Sequence, residues 1–376
     1  MDDLKLQRMQ ELIKEINFHN YNYYSLDNPT ISDAEWDKLY DELLSLEAQT
    51  GVVLPDSPSQ RVGGAILPNF KKYTHEVQLY SLEKCNTYDA LKEWCLNVKK
   101  KDPQAQFFVD YKFDGLTVSL TYENGILING ATRGNGLVGE DITAQVKTIR
   151  TVPLKIDYKG KVIVQGEAIM KLSELAKYNK TATEPLKNAR NAAAGALRNL
   201  DPKVTASRNL DVVFYAINYI DNTNIKTQEQ MYEFLKANKF NTEAKFKVFN
   251  TYEQVEDAIK LIDNEKSSLD FLIDGAVVKI NDVSQQKLFG YTAKFPKWAI
   301  AFKYEAQELS TKLNNVVWQV GRTGKITPIA EVEPVELAGA TVKRATLNNY
   351  NDIIRKKVQL NDYVFVRRSN EVIPEI

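Results

Sequence analysis

Met9, Leu12, Ile13 and Ile16 recur at helical spacing, and Leu39, Leu43 and Leu46 do so again after a break at Asp27-Asn28-Pro29. The pattern predicts a small unit of two helices. Ser32 with Glu35 three residues on forms a capping box that starts the second of them. Asp33, Trp36, Asp37 and Tyr40 then follow at i, i+3, i+4 and i+7, a face distinct from the leucine stripe. The plainer account of that face is a solvated one with its rings resting on the neighbouring helix. With Tyr21, Tyr23 and Tyr24 just before it, the same face offers rings and carboxylates suited to a flat aromatic ring and ribose hydroxyls.

A polar stretch carrying Pro and Gly, from Pro55 to Pro68, reads as a connector, and beyond it the period changes from helix to strand. Leu116, Val118, Leu120 and Tyr122 alternate with Thr117, Ser119 and Thr121, and Asn124-Gly125 turns the chain back through Ile126 and Ile128 as a hairpin. Further strands are predicted over Val162 to Met170, Leu210 to Ile217, Gly275 to Ile280 and Trp298 to Lys303. Helices are predicted around Leu172 to Tyr178, Ala192 to Leu200 and Gln228 to Leu235. The mixture predicts an α+β domain on antiparallel sheets. After about Asn314 the chain becomes dense in Val, Thr and short turns, as in Val316-Val317-Trp318 and Tyr363-Val364-Phe365-Val366, which predicts a small β barrel.

At 376 residues the chain is too long for one ordinary core and divides into about two or three domains. Its 49 Lys plus Arg balance 49 Asp plus Glu, so any site for a polyanion must be a local patch. Cys85 and Cys95 are the only cysteines, too few for a disulfide framework or a four-thiolate zinc site, and two reduced buried thiols are expected. No basic start followed by an apolar stretch and no run long enough to span a bilayer occurs, which gives a cytoplasmic expectation with no membrane partner.

The run Asp110-Tyr111-Lys112-Phe113-Asp114-Gly115 is the strongest chemical signal. A lysine beside Asp-Gly at a strand end suits covalent nucleotidyl transfer, provided partial burial and neighbouring cations lower the amine's hold on its proton. Taken alone, the run is more simply a strand-end lysine before a turn. Glu167 after Gly166, Lys279 at the end of Asp274-Gly275-Ala276-Val277-Val278-Lys279, and Lys303 at the end of Trp298-Ala299-Ile300-Ala301-Phe302-Lys303 are further strand-borne charges of the kind a nucleotide site needs. Gly134-Asn135-Gly136-Leu137-Val138-Gly139 matches the dinucleotide pattern G-x-G-x-x-G, with Asp157 near the distance of a ribose-binding acid. Against that reading, the preceding segment closes a hairpin and Pro153 interrupts the helix that should follow. His19 and His75, the only histidines, lie near no serine elbow.

Taken in order, these stretches resemble the NAD-dependent DNA ligases of bacteria. The likeness is carried by Asp56-Ser57-Pro58 with Arg61-Val62-Gly63-Gly64, Ala131-Thr132-Arg133-Gly134, Gly139-Glu140-Asp141-Ile142-Thr143, Asn188 through Asp201-Pro202, and Val320-Gly321-Arg322-Thr323-Gly324-Lys325-Ile326-Thr327-Pro328. The resemblance implies a nucleotidyltransferase core of ATP-grasp-like antiparallel sheets over residues 67–308, a helical domain binding nicotinamide mononucleotide (NMN) over 1–66, and a partial OB-fold barrel over 309–376. It implies that Lys112 attacks the α-phosphate of NAD, expels NMN and carries AMP. The AMP then passes to the 5′-phosphate of nicked double-stranded DNA, and the strand is sealed, as in DNA replication and repair. Magnesium or manganese is the implied metal and a monomer the implied state.

By position, Tyr23, Tyr24, Asp33, Trp36 and Asp37 match the NMN grip of such enzymes. Ser81, Leu82, Asp110 and Tyr215 match the adenine pocket, Glu167 the acid at the ribose, and Asp114 the carboxylate beside the nucleophile. Arg133, Arg190, Arg198, Lys279 and Lys303 match the cations around phosphate and ribose. The chain departs from the family at Asp110, usually glutamate, at Trp36, usually tyrosine, and at Tyr24, often histidine. Gln165 and Lys266 stand where arginine is usual. Relatives continue past the barrel into zinc, helix-hairpin-helix and BRCT modules, so the expectation is good reaction with NAD and poor joining of nicks. An ATP-using ligase or RNA-capping enzyme is one alternative, and the Tyr23 to Asp37 set speaks against it. A non-catalytic nucleic-acid module using Arg322, Lys325, Lys343 and Arg344 is another, and intact Lys112 and Asp114 speak against that.

Overall fold

The computed structural model describes residues 2–26, 28–62, 67–243, 247–304, 308–321, 324–337, 340–369 and 373–376, arranged as two units, Met1–Lys303 and Tyr304–Ile376. Gly63, Gly64, Arg322 and Thr323 of the matched motifs lie outside the described residues.

The first unit opens with helices Asp2–Ser25 and Asp33–Thr50. Met9, Leu12, Ile13, Ile16 and Leu43 form their shared core, as the periodicity predicts. Ser32 and Glu35 make the expected capping box, and Gly51, at φ 67°, ends the helix in the left-handed conformation. The connector is less open than its composition suggests. Ser57 is buried and donates to Glu47 Oε1 at 2.5 Å, and Pro58–Val62 is a 3-10 turn. Arg61 donates to the carbonyls of Ile149 at 2.6 Å and Val152 at 2.9 Å, while Lys155 pairs with Asp56 at 2.8 Å. The guanidinium is enclosed without a carboxylate partner among the described residues, and burial holds it down at about 10. Each of its two carbonyl contacts is a charged hydrogen bond, so Arg61→Ala is expected to cost on the order of 3 kcal/mol. Chemical denaturation, with limited proteolysis of the connector, measures it.

Two sheet layers follow. A four-stranded sheet runs in the order Ile126–Thr132, Leu116–Glu123, Val162–Ile169, Asp211–Ile220. The predicted hairpin is present, with Asn124 at φ 52° and Gly125 at φ 81° in its turn. One face of this sheet carries Val118, Leu120, Tyr122, Val162, Val164 and Phe214 into the main core, joined there by Ala192, Ala193, Ala196 and Leu197 of helix Ala189–Leu197. The other face keeps Thr117, Gln165 and Glu167. The second sheet runs Glu83–Cys85, Ala299–Lys303, Ile273–Ile280, Phe107–Phe113, Lys247–Phe249, all antiparallel except the first pair. Predicted helices are present at Leu172–Thr181 and Gln228–Ala237, and helices Tyr88–Lys101 and Tyr252–Glu265 add to them.

Gly134 to Gly139 form a tight turn leading into strand Val138–Glu140, which pairs antiparallel with Lys72–Thr74. Gly134 and Gly136 have φ of 56° and 93°. No helix opens on these glycines and Asp157 is exposed, so the dinucleotide reading of this run falls. Cys85 and Cys95 are free and buried, as expected, and burial pushes their thiols up to about 11 and about 12. His19 meets Thr30 Oγ1 at 2.7 Å and His75 faces the carbonyl of Thr132 at 3.0 Å. Among the described residues no helix is long and apolar enough to cross a membrane.

The second unit is the predicted barrel, with strands Glu308–Val320, Ile326–Leu337, Ala340–Thr346, Ile373–Glu375 and Tyr363–Ser369 in closed order. Where the sequence leads one to expect an incomplete barrel, the described strands close, the last to enter being only three residues long. Leu313, Ala330, Val332, Val342, Val364 and Val366 fill it. Lys325 and Lys343 are exposed, and Arg344 pairs with Glu331 at 2.7 Å.

Candidate active site

Register explains how the charged residues meet. In the five-stranded sheet Lys112 lies opposite Gly275 and Gly275 opposite Lys303; Asp110 lies opposite Val277, and Phe108 opposite Lys279. Opposed residues share a face, so Phe108, Asp110, Lys112, Lys279 and Lys303 all project from one side. By simple alternation Asp274 would point away. The register slips between Ile273 and Gly275, and this irregularity turns the Asp274 carboxylate to the same side. It contacts Lys112 Nζ at 2.7 and 2.9 Å and Lys303 Nζ at 2.8 Å. Gly115 follows from the same crowding, because a Cβ there would stand 2.2 Å from the carbonyl oxygen of Ala168.

The sequence calls for a ring of cations around Lys112; the structure puts a carboxylate at the centre of it. Asp274 is almost wholly buried, and burial pushes its carboxyl up, but Lys112 and Lys303 outweigh that and hold it below its ordinary value. An amine so paired must hand its proton on before it can attack.

Across the gap, the four-stranded sheet supplies Glu167, which accepts from Thr117 Oγ1 at 3.1 Å and Tyr215 OH at 3.3 Å. Gln165 donates to Tyr215 OH at 3.0 Å. Burial pushes Glu167 up to about 7, against those hydrogen bonds and the charges of Lys112 and Arg190. The folded protein therefore keeps a proton there that the unfolded chain loses near its ordinary 4.5. Stability falls as pH rises from about 4.5 to about 7, by on the order of 3 kcal/mol in total. Melting curves should show wild type losing ground to Glu167→Gln across that window and holding a constant gap above it.

Asp110 is buried and already engaged: it accepts from Tyr232 OH and from the Tyr111 amide at 2.8 Å, and faces Lys279 at 3.6 Å. Burial pushes Asp110 up and Lys279 down, each opposed by the other's charge. Lys279 also donates to the carbonyl of Tyr215 at 3.2 Å and lies over the rings of Phe108, Tyr215 and Tyr232. Asp114 pairs with Arg190 at 2.6 Å, and Arg133 reaches Ser81 Oγ at 3.5 Å, beside half-buried Leu82. Arg198 caps its helix and is exposed, and Lys266 pairs with Asp263 at 2.6 Å. Among the described residues no group of three or more His, Cys, Asp or Glu converges to hold an ion. With Asp274, Asp114 and Glu167 each engaged, these residues do not build a cage for magnesium or manganese.

The helical residues form a separate group. Tyr23 and Tyr24 meet edge to face at 4.7 Å, and Arg150 lies over the Tyr24 ring at 4.7 Å and donates to its hydroxyl. Trp36 stacks on Tyr40 at 4.9 Å and donates its indole N–H to Asn20 at 2.9 Å. Asp33 and Asp37 are exposed, with no ion-pair partner among the described residues. Among those residues, no hydrogen bond or ion pair ties this group to Lys112.

The lysine lies between two sheets with a carboxylate at its amine. The family model for the NAD-dependent DNA ligase adenylation domain matches residues 67–307. The chain belongs to the NAD-dependent DNA ligase family. Models for the NAD-dependent DNA ligase OB-fold domain and for the DNA ligase-like, N-terminal NAD+-binding domain match residues 310–376 and 3–63. A DNA ligase of Alkaliphilus metalliredigens is 53% identical over 379 residues, covering 100% of this chain and 57% of that protein. One from Alkaliphilus oremlandii is 52% identical, covering 99% and 57%, and one from Clostridium botulinum 52%, covering 100% and 58%. The chain thus spans a little over half the length of these relatives of the ligase family. Its fold is the family's: a nucleotidyltransferase-type α+β core with an OB-fold barrel.

Sequence reasoning missed Asp274, because alternation along its strand puts it on the face away from Lys279 and Lys112. It also missed Tyr232, whose helical position gives no sign that its hydroxyl meets Asp110.

Proposed function

We propose that this ligase chain takes AMP from NAD onto Lys112, releasing NMN, and hands it to the 5′-phosphate of nicked DNA for sealing, in the cytoplasm and as a monomer. The observation that carries the reading is the Lys112 amine, 2.7 Å from Asp274 and facing Glu167 across two sheets. Three working parts are assigned: residues 1–66 hold the NMN half, 67–308 carry the chemistry, and 309–376 contact DNA. Tyr23, Tyr24, Asp33, Trp36 and Asp37 grip NMN. Asp110, Lys279, Tyr215, Ser81 and Leu82 line the adenine end, and Glu167 accepts from the ribose. Arg133, Arg190, Arg198 and Lys303 face the phosphates, with Asp114 orienting Arg190.

In the transfer, the Nζ–phosphorus bond forms as the phosphorus–oxygen bond to NMN breaks, and the electron pair leaves with the NMN phosphate. Asp274 stands where the amine's proton departs, and an arriving phosphate that draws Lys303 away frees the carboxylate to accept it. Magnesium or manganese, carried in on the phosphates, would offset their charge.

The helical unit approaches the core for loading, with the connector as hinge, and the Arg61 and Asp56 contacts set how firmly it is held. Intact mass before and after NAD tests the whole: a gain of one AMP with NAD and none with ATP supports the reading, and no gain from NAD defeats it.

A further inference from the structure

Lys84 belongs to none of the groups above, yet the sheet delivers it to the same face. Strand Glu83–Cys85 is the edge of the five-stranded sheet and pairs parallel with Ala299–Lys303, setting Lys84 opposite Ala301. Ala301 lies opposite Val277, and Val277 opposite Asp110, so the row that begins at the adenine end finishes on Lys84. Between the long side chains of this face stand the small residues Gly275, Ala299 and Ala301, all of them buried.

The charges around it do not balance. Burial lowers the Lys84 pKa, and Lys303, Lys112 and Arg133 lower it further, while Asp274 alone opposes them. Lys84 has no ion-pair or hydrogen-bond partner among the described residues, and Glu83 alternates to the opposite face. Lys84 thus feels three cations and one carboxylate, and that carboxylate is already shared by Lys112 and Lys303. Holding like charges together is unfavourable in the free protein, and an incoming polyanion relieves it. A dinucleotide brings two phosphates. Lys112 and Lys303 meet at the first, and Lys84 stands further out, on the edge away from Asp110 and Lys279.

We infer that Lys84 is a binding residue for the second phosphate of the dinucleotide, the one that leaves with the mononucleotide. This rests on the loading reaction proposed above. As the phosphorus–oxygen bond breaks, the departing phosphate gains the electron pair, and the Lys84 ammonium offsets that charge; in the reverse direction it captures the incoming NMN.

The test compares wild type, Lys84→Met and Lys84→Arg in single-turnover loading from NAD and in unloading of the AMP-carrying protein by NMN, both read by intact mass. Loss of one charged phosphate contact should raise half-saturation by NMN about tenfold or more in Lys84→Met, with most of it recovered in Lys84→Arg. Inhibition of loading by adenosine, which has no phosphate, should be unchanged. Lys84 is exposed on an edge strand, so the variants should melt with wild type. Unchanged NMN half-saturation in Lys84→Met overturns the inference, as does an equal weakening of adenosine. If wild type itself gains no AMP from NAD, the loading reaction falls, and that outcome is read on a different protein.

Discussion

Lys112→Ala protein gains no AMP on incubation with NAD and magnesium, while wild type under the same conditions gains one. The effect is all or none because no other amine among the described residues is placed for the attack. Lys303 shares Asp274 but extends from a strand two places away, Lys279 is enclosed by Asp110 and three rings, and Lys84 stands at the sheet edge. The substitution removes a side chain that is one-fifth exposed and leaves Asp274 paired with Lys303, so the fold should survive with a loss on the order of 1 kcal/mol. Lys112→Arg should be equally inert, since a guanidinium keeps its proton and cannot act as the nucleophile. A Lys112→Ala protein that still acquires the nucleotide mass would place the chemistry elsewhere, and peptide mapping of the adduct would say where.

The parts of this protein that could be read ahead of the structure are those in which a local pattern suffices. Period and capping gave the two N-terminal helices, and Asn124-Gly125 gave the hairpin, because each depends on residues within one turn or one strand pair. Helix Tyr252–Glu265 carries the same kind of local signal, with Thr251 and Gln254 forming its capping box. The site was legible where a motif names its own residue, as at Lys112 and Asp114. It was not where long-range pairing decides. Asp274 faces the amine only because of a register slip, and a bulge of that kind leaves no mark in the alternation of side chains. Lys84 lies on a strand of three residues, too short to show any period. Asp110 matches the adenine pocket by position, and what no sequence pattern shows is that Tyr232 and Lys279 already bind its carboxylate.

Asp274→Asn should slow loading by a factor of about 10² to 10⁴ without unfolding the protein, the range by which a positioned proton acceptor contributes. Asparagine keeps the size of the side chain and can accept a hydrogen bond from Lys112, but its amide cannot take up a proton. It leaves Lys112 and Lys303 without their anion, and these are only 20% and 25% exposed in their side chains, so some loss of stability accompanies the change. The signature separating chemistry from packing is the pH profile. With Asp274 present, the proton has a local acceptor. Without it, solvent must remove the proton, and the residual rate of Asp274→Asn should climb steadily with pH over a range where wild type is already flat. Lys303→Met supplies the contrast, since it removes the competing ammonium from Asp274 yet keeps the carboxylate beside Lys112; it should weaken NAD binding while leaving the wild-type shape of the profile. A profile for Asp274→Asn parallel to that of wild type would mean that the carboxylate only positions the amine, and the proton would then have to leave through the phosphate itself.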